Sequence, residues 1–286
     1  MLPTGIWMSS FVDSSLPAIA LCGGGYSLFV TRFRPLEAEA LREGFGEGGY
    51  SLPVFTCRPN GRRGKGKKNT CMKKISSEVV RQSLTYEAYR QLTDELLAQG
   101  KTTGENHSEA MIHYTQLNVA RMNRLDKTTR LLENVQEQLR HLNQPMIWLT
   151  LTEAWCGDAA QIIPVLQKMA DVSEHIELRL ILRDEHPGIM DAFLTNGGRS
   201  IPKVILLDAR TLEVLGSWGP RPAEVQEMVM AARADLSAMT DKEEKKIRYL
   251  ELTAATQKWY ARDKTRSIQQ EFLTALREGV GARVGA

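Results

Sequence analysis

The chain has 286 residues, of which 42% are hydrophobic and 25% charged, and its 37 Lys and Arg against 34 Asp and Glu leave a net charge of +3. That length buries a full core in one or two domains, and the near balance of charge excludes a strongly acidic or basic surface as a guide to partners. No apolar run approaches the roughly 20 residues that a bilayer span needs.

Leu16–Val30 comes nearest to an export signal, but no Lys or Arg precedes it and Gly23, Gly24 and Gly25 interrupt it. Bulky Leu21 also argues against lipid attachment at Cys22. A cytoplasmic chain with no membrane partner is expected, in a compartment where thiols stay reduced.

Residues 1–71 have their own texture. Glycines at 23, 24, 25, 44, 46, 48 and 49 and prolines at 17, 35, 53 and 59 leave no lasting period. The basic run from Gly61 to Lys68 lacks interleaved aromatics, so no nucleic-acid partner is expected. From Met72 the sequence becomes Lys73-Lys74-Ile75-Ser76-Ser77-Glu78 and then helix-forming. This change predicts that the native protein begins at Met72 and that residues 1–71 are a disordered or non-native upstream segment. Cys22, Cys57 and Cys71 fall there, which leaves Cys156 alone in the remainder.

Residues 72–143 are predicted as a helical N-terminal extension. Leu84, Tyr89, Leu92, Leu96 and Leu97 mark an amphipathic helix stopped at Gly100, and Met111 to Leu139 mark a long helical segment ending near Pro145. Residues 144–238 then change to strand patterning. Runs at Met146–Thr152, Ile176–Leu182, Lys203–Leu207 and Leu212–Trp218 read as strands, with helices at Asp158–Ala170, Pro187–Leu194 and after Pro222. The order β-α-β-α-β-β-α predicts an α/β three-layer sandwich of parallel strands, with an antiparallel edge from the last hairpin. Residues 239–286 are predicted as a C-terminal helical extension, with Ile247, Leu250, Ala254, Trp259, Phe272 and Leu276 facing inward.

The chemistry concentrates at Trp155-Cys156-Gly157-Asp158-Ala159. A thiol at the end of a buried strand and the start of a helix meets unpaired backbone N–H groups and the positive end of the helix dipole. Both predict a lowered pKa and a nucleophilic Cys156, tempered by the neighbouring Asp158 carboxylate. His107, His113, His141, His175 and His186 have no metal-ligand spacing, so no metal is expected. Asp184, Glu185 and Arg199 are placed in loops near the thiol's end of the sheet, where α/β folds bind ligands.

Glu153 to Ala159, with Pro164 after the Cys, resembles the active-site strand and kinked helix of thioredoxin. Ser200-Ile201-Pro202-Lys203-Val204 resembles the cis-proline loop that faces the thiol in that superfamily, and Gly219 falls where its last loop carries a glycine. Tyr114–Asn118, Trp155–Gln161, Asn196–Lys203 and Trp259–Lys264 extend the likeness to a bacterial group described as thioredoxin family proteins. The resemblance implies a thioredoxin-like domain with Cys156 as catalytic thiol. It also implies a substrate backbone held by Trp155, Gly157, Asp158, Ile201, Pro202 and Gly219.

Two departures stand out: Ala159 replaces the resolving Cys, and Thr150 replaces a buried carboxylate. A mixed disulfide on Cys156 then needs an external thiol for release, from a partner protein or a low-molecular-weight thiol such as glutathione or bacillithiol. No cofactor is expected beyond such a resolving thiol. The substrates implied are an oxidised protein or a small-thiol disulfide. Arg121, Arg124 and Lys127 would suit an acidic thiol if their helix lay near the site. The alternatives are a binding module without turnover, and a [2Fe–2S] cluster shared by two protomers, which departures from the monothiol glutaredoxin motif disfavour.

Overall fold

The structure, a computed structural model, describes residues 72–284. The expectations for residues 1–71, including their three cysteines, the basic run and the start at Met72, lie outside the described residues. Helix starts follow their caps: the Ser76 hydroxyl accepts Val79 N–H at the head of α1 (Ser77–Gln82), and Thr85 accepts Ala88 N–H at the head of α2 (Tyr86–Ala98). The long segment expected after residue 108 is two helices, α3 (Glu109–Thr128) and α4 (Glu133–Arg140). The intervening turn is held from a distance, because Gln269 accepts Leu132 N–H and donates to Arg130 O.

The sheet comprises β1 (Met146–Thr152), β2 (Ile176–Leu182), β3 (Lys203–Asp208) and β4 (Val214–Trp218), in spatial order β2-β1-β3-β4. β1 and β2 are parallel across α5 (Gly157–Ala170), as expected. The expected second parallel pair is corrected, because β3 runs antiparallel to β1, with Leu151 opposite Lys203. The connection explains why. It holds only the short helix α6 (Pro187–Ala192) and no crossover helix of the kind that usually carries the chain back for a parallel strand. β3 therefore starts at the end of the sheet where β2 stopped.

Beyond the sheet come α7 (Ala223–Ala238), α8 (Lys242–Asp263) and α9 (Arg266–Val284). The single tail helix breaks at Lys264 and Thr265, both left-handed at φ 53° and 69°. Trp259, Phe272 and Leu276 are buried as expected. Ile247 (58% exposed), Leu250 (48% exposed) and Ala254 are not, since α8 is exposed at every residue from Lys242 to Glu251 and meets the body only with its later turns. One core joins all three segments: Tyr89, Val135 and Leu139 from the N-terminal helices and Trp259 and Phe272 from the C-terminal ones pack with Trp148, Leu166 and Leu206. No described helix is long and apolar enough to cross a membrane.

Candidate functional site

β1 is buried throughout and delivers the chain to a tight turn in which Cys156 N–H bonds to Glu153 O at 3.0 Å. Two outside groups fix that turn. Thr103 Oγ1 accepts Ala154 N–H at 2.8 Å, and Asn118 Nδ2 on α3 donates to Ala154 O at 2.8 Å. Cys156 is then the N-cap of α5, with extended backbone. Glu153 is fully buried, and its Oε1 accepts Asp184 N–H at 2.9 Å. Burial pushes its carboxyl above the ordinary value. Trp155 is half-buried under the Arg183 guanidinium, 4.8 Å from its ring centre.

The sulfur faces the Pro202 loop, where Cys156 Sγ donates to Ile201 O at 3.4 Å. The Ile201–Pro202 peptide is cis. Gly219 closes this loop at φ 103°, and a Cβ there would stand 2.5 Å from Pro202 O, so only glycine permits the approach. Lys203 is buried with its ammonium donating to Gly219 O at 2.9 Å, and burial lowers its pKa to about 8. Cys156, Ile201, Pro202 and Gly219 are thus brought together around one point.

The expected exposed and partly ionised thiol is corrected. Cys156 is only 8% exposed, and its pKa is pushed up to about 12, by burial first and the Asp158 carboxylate second. Backbone N–H groups of Ala159 and Asp158 and the Arg221 charge act the other way and are outweighed. Dipole and amide effects need solvent access to win, because burying an anion costs more than two backbone donors return.

The turn beside the thiol is covered from both the domain and the extensions. Asp158 does not face solvent. Its Oδ2 accepts from Arg221 Nε (2.9 Å) and Nη2 (2.5 Å), and its Oδ1 accepts the Tyr260 hydroxyl of α8 at 2.9 Å. Gln257, one turn earlier, accepts from Gln161 Nε2 at 2.7 Å. A Cβ on Gly157 would lie 3.2 Å from Gln257 Nε2 and 3.6 Å from Arg121 Nη1, so α8 and α3 both roof the motif.

Arg121 and Arg124, conditional candidates in the sequence, do reach α5. Asp184 sits against Trp155 through Gly104, where a Cβ would meet Asp184 Oδ2 at 2.7 Å and Trp155 Nε1 at 3.6 Å. Arg199 pairs with Asp191. Sequence reasoning missed Tyr260, Gln257, Arg221, Asn118 and Thr103. For Tyr260 and Asn118 the signal was present, since both lie in segments of the wider resemblance. Among the described residues no group of three His, Cys, Asp or Glu side chains is arranged to hold a metal.

A family model described as thioredoxin matches residues 104–242, from the loop before α3 to the start of α8. No curated protein matches the chain. Among solved structures, a protein of unknown function from Pseudomonas aeruginosa is 16% identical, with 68% of this chain and 98% of that chain covered and a TM-score of 0.39. An HIV epitope scaffold is 18% identical at the same coverages, with a TM-score of 0.37. The family match and the four-stranded sheet flanked by helices together make the domain around Cys156 thioredoxin-like, carried within helical extensions at both ends.

Proposed function

We propose that this protein is a cytoplasmic monothiol thiol–disulfide exchanger whose Cys156 is held protonated under α8 and reacts when that helix lifts. The observation that carries the reading is the identity of the cover. Of the groups over the Cys156-Gly157-Asp158 turn, Gln257 and Tyr260 belong to α8, whose residues from Lys242 to Glu251 are all exposed, whereas Arg121 stays on α3 and the Ile201–Pro202 loop and the Asp158 and Ala159 amides stay with the sheet. Removing α8 leaves a thiol with two N–H donors and Arg221 close by, the surroundings that favour a thiolate. The exchange conserves bonds: Cys156 sulfur attacks a disulfide, one S–S bond forms as the other breaks, and the thiol proton ends on the departing sulfur. With Ala159 in place of a second Cys, an external thiol completes the cycle.

A second reading, a binding module without turnover, is favoured by the raised pKa of the closed thiol. One experiment separates them. The full chain and its Gln257→Ala/Tyr260→Phe variant are treated with bis(2-hydroxyethyl) disulfide and followed by intact mass, with Cys156→Ser as control. Exchange predicts a Cys156 adduct that forms severalfold faster when the two α8 contacts are cut. No adduct in either protein rejects exchange and leaves the binding module.

A further inference from the structure

Two cations beside the site have no carboxylate within ion-pair distance. Arg121 and Arg124 on α3 form no ion pair with any described residue, although Arg221 and Arg90 each have an Asp partner. Arg121 is half-buried with its Nη1 donating to Asn118 Oδ1 at 2.7 Å, which aims the head at Gly157. Arg124, one turn on, reaches Gln161 Oε1 at 3.4 Å. Burial first and the neighbouring Arg124 charge second lower the Arg121 pKa, and together they outweigh the Asp158 carboxylate that acts the other way. Such a pair, held at one end of a site by other contacts, suits a carboxylate, which a guanidinium binds through two parallel N–H bonds.

The space next to the pair holds an amide. The Gln257 carboxamide lies over Gly157 and accepts from Gln161, a side chain that is itself 4% exposed and locked in place. An amide of the chain's own extension therefore lies beside the Arg121 guanidinium over Gly157, the residue next to Cys156, where a ligand would enter once α8 lifts. A thiol, an amide and a carboxylate in one small molecule describe one chemical class.

We infer that Arg121, Arg124 and Gln161 form the binding subsite for a low-molecular-weight peptide-like thiol carrying carboxylates, which exchanges with Cys156 as its disulfide. This deepens the exchange reading and rests on it. The Gln257 carboxamide is the internal stand-in for the ligand's amide, Gln161 Nε2 donates to that amide, and the two guanidiniums take the carboxylate. The reaction is Cys156–SH plus the small disulfide RSSR giving Cys156–SSR plus RSH. The electrons that reduce RSSR come from the protein thiol, and a thiol of a partner protein, R′SH, then attacks the mixed disulfide to give Cys156–SH and RSSR′.

The test uses the full chain with three probes. Glutathione disulfide carries the carboxylates and amides, bis(2-hydroxyethyl) disulfide carries neither, and S-methylglutathione binds without exchanging. The ratio of Cys156 adduct rates, glutathione disulfide over the neutral disulfide, is expected to fall about tenfold in Arg121→Gln/Arg124→Gln, because charge-assisted contacts are lost for one probe only. S-methylglutathione is expected to raise the melting temperature of the wild type and not of this variant. An unchanged ratio, whether or not both rates drop together, overturns the subsite while exchange stands. If neither disulfide reacts with the wild type, exchange fails. S-methylglutathione then decides the subsite alone: binding that needs both arginines keeps it, and no binding ends it.

Discussion

At Cys156 the balance of two opposed effects sets the chemistry. The helix start and its N–H groups favour the anion, while near-complete burial and the Asp158 carboxylate favour the thiol, and the pKa of about 12 records the winner. The proton also has a use, since Sγ–H donates to Ile201 O. A sign follows for alkaline solution. The folded state keeps a proton that the unfolded state loses near the ordinary value of 9, so the stabilising contribution is whole below that value. It is lost as pH rises through about 12. Alkylation of Cys156 in the closed protein is accordingly expected to rise in rate only well above pH 9, and a pH profile with its midpoint below the ordinary value would contradict the buried thiol.

Among the elements, the strands were legible in the sequence because each is a short apolar run decided locally. Met146–Thr152 and Ile176–Leu182 appear with their expected bounds. The direction of β3 was not legible, because it depends on the connection through α6 and not on the residues of β3. The C-terminal helices divide into two kinds. α9 is part of the core: the Phe272 ring is fully buried, 4.6 Å from the Trp148 ring centre and 5.6 Å from that of Trp218. Phe272→Ala is expected to cost about 4 kcal/mol in denaturant unfolding. A loss below about 1 kcal/mol would show α9 to be an appendage instead.

For the whole molecule, α8 divides into an exposed first half and later turns that dock on the thioredoxin-like domain through Trp259 and Tyr260, each 4% exposed. From Lys242 to Glu251 every residue of α8 is exposed, Ile247 and Leu250 among them, although burial first, and then charges that include those of Cys156 and Asp158, raise the Tyr249 pKa. Amide exchange is expected to be fast through this half of α8, slower from Thr256 to Tyr260 where the helix meets α5, and slowest in α9 and β1. Protection of early α8 equal to that of β1 would remove the opening on which exchange depends.

By itself the sequence determined the strand runs and a thiol at a strand end and helix start, because each is written in adjacent residues, while the Pro202 loop and Gly219 came from the resemblance to thioredoxin. Only the tertiary structure decided whether the sulfur is free. The groups that close over the neighbouring turn are far away in the chain, Tyr260 lying 102 residues beyond the Asp158 it bonds. Solvation of a thiol depends on everything packed around it, so the ionisation of Cys156 follows from its burial in the folded chain, with the adjacent Asp158 carboxylate second, and was not to be read from Trp155-Cys156-Gly157-Asp158 alone.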